Sequence, residues 1–323
     1  MNLLVLGGTR FLGRHVVDAA LAADHTVTIL NRGQHAPGQI PGVRQLIGDR
    51  NGDMRALHGE YFDAVIDCSA YTPDQIDRTL AALGPLTPHY VLISSISAYA
   101  SFAPGRAYDE SASLAQGHEG YGALKARSEE ALTTALPGRA ACVRPGLIVG
   151  PYDPTGRFTY WPIRIAQGGR ILAPGRPERP IQFIDARDLA QWSLHLATQG
   201  IAGPFNAIGE TLSMASFLRR CRSTIGSNAE FAWVHDAALL GAQITPWTEL
   251  PLWIPEEDKD FGGMLLADNR RALAAGLVLR PIHETIADTL HWANSAPDLP
   301  PSPAITAERE AALLATIPMS SIA

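Results

Sequence analysis

Tyr121 and Lys125 stand four residues apart, a spacing that brings both side chains to one face of a helix. A tyrosine with an ordinary pKa near ~10 is a poor acid or base at neutral pH, and an ammonium beside it favours the phenolate and lowers that value. A tyrosine tuned in this way passes a proton to or from a substrate oxygen. Upstream, Ser94-Ser95 follows the apolar run Tyr90-Val91-Leu92-Ile93 and sets two hydroxyls at the end of a strand. A Tyr-x-x-x-Lys pair by itself also describes an ordinary surface helix, so its meaning depends on the elements that position it.

Those elements begin at the N-terminus. Leu3-Leu4-Val5-Leu6 has the continuous apolar character of a strand buried on both faces, and it leads into Gly7-Gly8-Thr9-Arg10-Phe11-Leu12-Gly13. This reads as the strand and turn of a dinucleotide-binding βαβ unit. Gly7 permits the tight turn, and Gly13 lets the next helix pack close while its first amides face a pyrophosphate. The middle glycine of the usual fingerprint is absent. A helix over 11–23 and a second strand over 26–30 follow, and the turn Asn31-Arg32-Gly33 falls where an adenosine ribose is met.

Further strands are expected over 43–47, ending in Gly48-Asp49-Arg50, over 62–67, closing on the small residues Cys68-Ser69-Ala70, and over 90–93 and 140–143. Pro73 suits the first turn of a helix running to Leu83. Strands alternating with helices in this rhythm specify an α/β fold with a doubly wound parallel sheet, whose ligands bind beyond the carboxyl ends of the strands. Past residue 150 the pattern loosens. Helices are expected over 158–167, from Asp185-Ala186-Arg187-Asp188 to about 197, and over 214–225, 284–292 and 306–316. Short strands are expected over 171–172, 181–184, 205–207 and 230–234. Asp185 and Asp188 read as helix caps, and so does Thr306. The expected organisation is a dinucleotide-binding domain of residues 1–156 plus about 180–208 and a smaller C-terminal substrate-binding lobe of about 157–179 plus 209–295. A Pro-rich linker and terminal helix fill 296–323.

The chain has 323 residues, 46% hydrophobic and 18% charged, enough to bury a large core. A formal charge of −6 gives no basic footprint for nucleic acid or an anionic membrane. No signal segment or apolar stretch of membrane-spanning length is evident, so a cytoplasmic protein is expected. Cys68, Cys142 and Cys221 are odd in number and lack C-x-x-C spacing, which argues against a disulfide framework or a zinc site.

Taken together, GGTRFLG at 7–13, Asp49, FDAVIDCSA at 62–70, ISSISAY at 93–99, YGALK at 121–125, RPGLIVGP at 144–151 and FIDARDLA at 183–190 resemble the extended short-chain dehydrogenase/reductase family. These are the NAD(P)-dependent epimerase/dehydratase-like proteins, with a Rossmann-type fold. The resemblance covers roughly residues 1–295. It implies that Tyr121 is the general acid/base, that Lys125 holds the nicotinamide ribose and lowers the tyrosine pKa, and that Ser95 bonds the reacting oxygen. Ser97 is the second choice for that role, or a substrate contact with Tyr99. Pro145, Gly146 and Ile148 are expected near the nicotinamide. Thr9, Phe11 and Leu12, together with Asp49, Arg50, Cys68, Ser69 and Ala70, are expected along the rest of the cofactor. A homodimer is implied by the resemblance alone.

Departures from the family pattern narrow the reaction. A carboxylate closing the second strand would bond the ribose 2'-hydroxyl of NAD, but Asn31 stands there with Arg32 beside it, and Arg10 replaces a glycine. Two guanidiniums suit a 2'-phosphate, so NADP is the expected cofactor, with NAD as the alternative. The Asp-Glu pair of dehydratases is absent after Ser95, and Leu147 occupies the place of the asparagine usual in nucleotide-sugar enzymes. Phe158, Tyr160, Trp161, Trp233, Trp247 and Trp253 offer an apolar lining, with Phe158, Trp161 and Trp247 the chosen substrate contacts. The reading is an NADP-dependent reductase or dehydrogenase acting on a small apolar or aromatic compound. An NAD-retaining sugar epimerase is the alternative, and a redox-sensing or RNA-binding regulator is a third.

Overall fold

The computed structural model describes residues 1–34, 40–84, 89–296 and 304–316. Strands β1 (Asn2–Leu6), β2 (Thr26–Asn31), β3 (Val43–Ile47), β4 (Ala64–Asp67), β5 (Tyr90–Ile93) and β6 (Ala140–Pro145) join an edge strand, Gly203–Ala207, in one sheet. The spatial order is β3-β2-β1-β4-β5-β6-edge, and every pairing is parallel. The order reverses between β1 and β4, which opens a crevice at their carboxyl ends. Helix α1 (Phe11–Ala22) packs beside α5 (Ala186–Gln199) on one face, and α2 (Pro73–Leu83) beside α3 (Tyr121–Ala135) on the other. Each face carries its own apolar cluster, with Leu3, Val5, Val16 and Ile66 in one and Leu4, Val65, Leu92 and Leu132 in the other.

A third cluster lies outside the sheet, built around Phe158, Trp161, Phe217 and Trp253 between Val149 and Ile305. It is served by α4 (Tyr160–Ala166), α6 (Met214–Ile225), the helix Ile282–Ser295 and the parallel strand pair Arg170–Pro174 and Glu230–Val234. The short helix Asp236–Gly241 also lies here, whereas Arg270–Ala274 packs Ala272 into the first sheet-face cluster beside the edge strand; at six and five residues both are too short to show a helical period.

Most expected elements fall within two residues of those observed, and the exceptions have local causes. β4 starts at Ala64, not Phe62; just before it Asp63 is tied to β1 at Asn2, its carboxylate accepting from the Asn2 amide at 2.7 Å and its own amide donating to the Asn2 carbonyl at 2.8 Å. The single strand expected over 181–184 is split. Pro180–Ile181 pairs with Leu212–Ser213 and Ile184–Asp185 with Ile148–Val149, while between them Gln182 turns its amide to Thr211 Oγ1 and the Ala267 backbone. Asp185 caps α5 by accepting from the Arg187 amide. Asp188 does not cap; it accepts from Arg280 N and Nε and ties α5 to the chain before the Ile282–Ser295 helix. The terminal helix spans Ala307–Thr316, and Arg309 N donates to Thr306 Oγ1 at 3.3 Å. The linker expected over 297–303 lies outside the described residues.

Two glycines set the distances on which the sheet edge depends. A Cβ on Gly13 would sit 2.0 Å from the Gly7 carbonyl oxygen, and one on Gly122 would sit 2.1 Å from the Ser97 carbonyl oxygen. Both contacts are backbone against helix, so neither neighbour can turn aside. Gly13→Ala is therefore expected to cost about 3 kcal/mol in urea unfolding. Gly52→Ala, where nothing lies within 4 Å of the added carbon, is expected to change stability by less than about 0.5 kcal/mol.

Candidate active site

At the carboxyl edge of the sheet a cleft of about 580 Å³ runs from the β1–α1 turn to the start of α3. Its floor is held by a buried ion pair. Arg50 donates from Nη1 to Asp67 Oδ1 at 2.7 Å and from Nη2 to Oδ2 at 2.8 Å, and also reaches Ser69 Oγ and Thr79 Oγ1. Asp67 further accepts from the Tyr90 hydroxyl at 2.5 Å and the Ser69 amide at 2.9 Å. Burial pushes the Asp67 carboxyl up, but Arg50, Tyr90 and the Ser69 amide outweigh it and hold it below the ordinary value.

Lys125 is buried beside this pair. Its Nζ donates to Ala70 O at 2.6 Å and Ile93 O at 3.0 Å, and lies 5.1 Å from the Tyr71 ring centre and 5.7 Å from that of Tyr121. Burial, reinforced by the Arg50 charge and opposed by Asp67, brings its ammonium down to about 8. Two of its three N–H groups thus serve the ends of β4 and β5, leaving one for a ligand.

Tyr121 opens α3 one turn before Lys125, and its phenol lies near enough to Ser95 for that side chain to pull its pKa down. Ser95 Oγ accepts from the Ser97 amide at 3.0 Å. The phenol sits above its ordinary pKa. Desolvation raises it, Ser95 lowers it, and nearby Tyr71 raises it again. The expectation of a pKa lowered by Lys125 is thus corrected, because the ammonium is turned to two carbonyls. Although 49% of the Tyr121 residue is exposed, its hydroxyl is set among Ser95 and Tyr71.

The cleft fits a dinucleotide. No side chain caps the N-terminus of α1 and no acidic residue lies in its first turn, so these amides face the cleft as an anion site. Asn31 Oδ1 accepts from Gly33 N at 2.8 Å and Gln45 Nε2 at 2.9 Å, whereas its Nδ2 is buried without a partner among the described residues. The Ser94 hydroxyl, also lining the cleft, is likewise buried and unpartnered.

Gly7, Thr9, Arg10, Phe11, Leu12, Gly13, Asn31, Arg32, Asp49, Arg50, Cys68, Ser69, Tyr121, Lys125 and Ile148 all line this cleft. Arg50 does so with both Nη atoms already committed to Asp67, so its part is to hold the floor. Ala70 is fully buried and contributes a carbonyl to Lys125; Pro145 and Gly146 lie beyond the lining, with Gly146 packed near Ile208 and Ile96.

Ser97 and Tyr99 face a second, smaller pocket of about 320 Å³, together with Phe102, Phe261 and Met264. Tyr121 lines both cavities. The lobe aromatics chosen as substrate contacts are placed elsewhere. Phe158 and Trp161 are 0% exposed in the lobe core, where Phe158 meets Phe183 and Phe217 and Trp161 Nε1 donates to Pro251 O. With no exposed surface they have none to offer a ligand. Trp247 packs on that core with the Arg157 guanidinium 5.9 Å from its ring.

Sequence reasoning overlooked Tyr71, Gly122, Phe102, Asp260, Phe261 and Met264. Tyr71 directly follows the small-residue run Cys68-Ser69-Ala70, a signal that was there to be used. Phe261 and Met264 lie in irregular chain some 140 residues from Tyr121 in sequence, where periodicity has nothing to say.

A seven-stranded parallel sheet in this order, with a glycine-bounded turn before α1 opening on the cleft, defines a Rossmann-type dinucleotide-binding fold. Residues 3–208 match the model of the NAD dependent epimerase/dehydratase family, and the chain belongs to that family. It is 25% identical over 256 residues to the chloroplast stem-loop binding protein of 41 kDa b of Arabidopsis thaliana, covering 72% of this chain and 65% of that relative, so just under two thirds of the relative's length is spanned. In fold it is similar to a UDP-glucose 4-epimerase of Thermotoga maritima solved with UDP-glucose, at 14% identity and TM-score 0.66 over 91% of this chain and 99% of that one. A UDP-glucose 4-epimerase of Thermus thermophilus solved with NAD gives 19% identity and TM-score 0.63 over 92% and 100%. Among the described residues no helix is long and apolar enough to cross a membrane.

Asp67 yields a pH-dependent prediction. Its folded pKa is depressed, so its contribution is present above the unfolded value near ~4 and is lost as the pH falls below it. Asp67→Asn should lower urea stability at pH 7 by about 3 kcal/mol, since Arg50 is left buried without its counter-charge. The variant should also lose less stability than the parent between pH 5 and pH 3.

Proposed function

We propose that the protein is an NADP-dependent oxidoreductase interconverting a carbonyl and an alcohol on a small apolar or aromatic compound. The observation that carries this reading is the position of Tyr121, whose side chain borders both the dinucleotide cleft and the apolar pocket. When bound, the reduced nicotinamide supplies the hydride that converts the carbonyl carbon to a carbinol. Tyr121 donates its hydroxyl proton to the carbonyl oxygen, and Ser95, beside that hydroxyl, orients the oxygen. Lys125 holds the ribose with its remaining N–H. Its ammonium, brought down to about 8, lies 5.7 Å from the Tyr121 ring centre.

The preference for NADP is supported by the chemistry at the end of β2. Asn31 Oδ1 is consumed by two donors, so the side chain presents N–H groups and no free acceptor. A 2'-phosphate accepts from such a group, whereas a 2'-hydroxyl loses the carboxylate acceptor that NAD enzymes provide. Exposed Arg32 and Arg10 border the same end of the cleft and would meet the phosphate. NADPH should therefore bind at least about tenfold more tightly than NADH by fluorescence titration, and Arg32→Ala should remove most of that difference.

The solved UDP-glucose 4-epimerases of the same fold favour a second reading, a sugar epimerase that retains its cofactor. Mass analysis of dinucleotide released on denaturation separates the two. Retained NAD(H) overturns the oxidoreductase reading, whereas a protein that binds and releases NADP during turnover supports it. Tyr121→Phe should lower turnover by about 10²- to 10⁴-fold with little change in NADPH affinity. An unchanged phenotype in that variant would instead favour a regulatory role of the stem-loop-binding kind.

A further inference from the structure

The small pocket beside Tyr121 has a built floor and a loose roof. Tyr99 and Phe102 form the floor, both buried. The Tyr99 hydroxyl donates to Asn206 Oδ1 at 2.7 Å and accepts from Arg144 Nη1 at 3.0 Å. Arg144 is in turn held by Glu129 of α3. Tyr108 packs edge-on against both rings, at 4.9 Å from Tyr99 and 5.3 Å from Phe102. This floor is immobilised by hydrogen bonds and packing, as a recognition surface requires.

The roof is Phe261, 50% exposed, whose ring is near-parallel to Phe102 (24°) with centroids 6.4 Å apart. A planar ring held between two faces needs about 7 Å, twice the contact distance of carbon. The two centroids lie closer than that, so Phe261, half exposed, must swing outward to admit a ring. The residues lining the pocket include a single charged side chain, Asp260, and no Lys, Arg or His. In the segment leading to it, Glu256-Glu257-Asp258-Lys259-Asp260, Glu256 is ion-paired with Arg176 at 2.8 Å, and the other three carboxylates face one ammonium. A diphosphate or carboxylate entering here would meet like charge with nothing to pair it.

We infer that this pocket takes an uncharged or cationic aromatic carbonyl compound, its ring clasped between Phe102 and Phe261 and its oxygen turned to Tyr121, and that Asp260 excludes anionic substrates. The inference rests on the oxidoreductase reading and adds the charge and shape of the substrate.

The test uses the purified full chain with the dinucleotide it binds, and three probes of one shape. These are acetophenone, 4-acetylbenzoate and (4-acetylphenyl)trimethylammonium. The neutral and cationic ketones should exceed the anionic one in kcat/KM by at least about tenfold, and Asp260→Asn should cut that ratio to about threefold or less. Phe261→Ala should raise KM for acetophenone about tenfold with a smaller effect on kcat. Turnover with no charge order, or a ratio that Asp260→Asn leaves intact, overturns the pocket assignment while the oxidoreductase reading survives. If none of the ketones is reduced, calorimetric binding of the same three compounds decides. The same charge order, weakened in Asp260→Asn, keeps the pocket and removes the reaction, whereas equal or absent binding removes the pocket as well.

Discussion

The Arg50–Asp67 pair is the constraint on which the cleft rests. Asp67 closes β4 with no exposed surface, and a lone carboxylate there would be severely destabilising. Arg50, from the turn after β3, supplies two parallel charge-assisted bonds. Tyr90 of β5 and the Ser69 amide supply the others. By also reaching Thr79 of α2, Arg50 joins three strands and a helix beneath the place where a dinucleotide would lie. A polar cluster at this depth is tolerable because Asp67 has nearly all its lone pairs engaged, so the floor has one geometry instead of several.

Lys125 extends the same arrangement to the chemistry. Its ammonium bridges the carbonyls of Ala70 and Ile93, beyond the ends of β4 and at the end of β5, and so fixes α3 against the sheet. Gly122 allows the first turn of α3 to touch the Ser97 carbonyl, which is what brings Tyr121 within reach of Ser95. Tyrosine, serine and lysine are therefore placed by backbone contacts, not by their own mutual attraction. In this arrangement burial governs the phenol and keeps it protonated, the form that donates to a carbonyl oxygen.

Much of this was legible in advance. The parallel sheet, the β1–α1 turn and the order Ser95, Tyr121, Lys125 follow from apolar runs, glycines and helical spacing, all of which act over a few residues. The lobe was read less well. Its tryptophans looked like a ligand lining, yet Phe158 and Trp161 are enclosed, because a lobe of this size needs large side chains for a core of its own. Hydrophobicity records that a residue seeks burial, and it does not say whether protein or ligand will cover it.

The sequence by itself determined the succession of strands and helices, the positions where glycine is needed and the residue types available for proton transfer. These depend on local backbone geometry and on side-chain period. Tertiary structure decided that Arg50 spends its guanidinium on Asp67, that Lys125 turns to two carbonyls, and that Phe261 arrives opposite Phe102 beside Tyr121. Each of these is a contact between segments brought together by folding, and its outcome depends on which partner is nearest once water has been excluded.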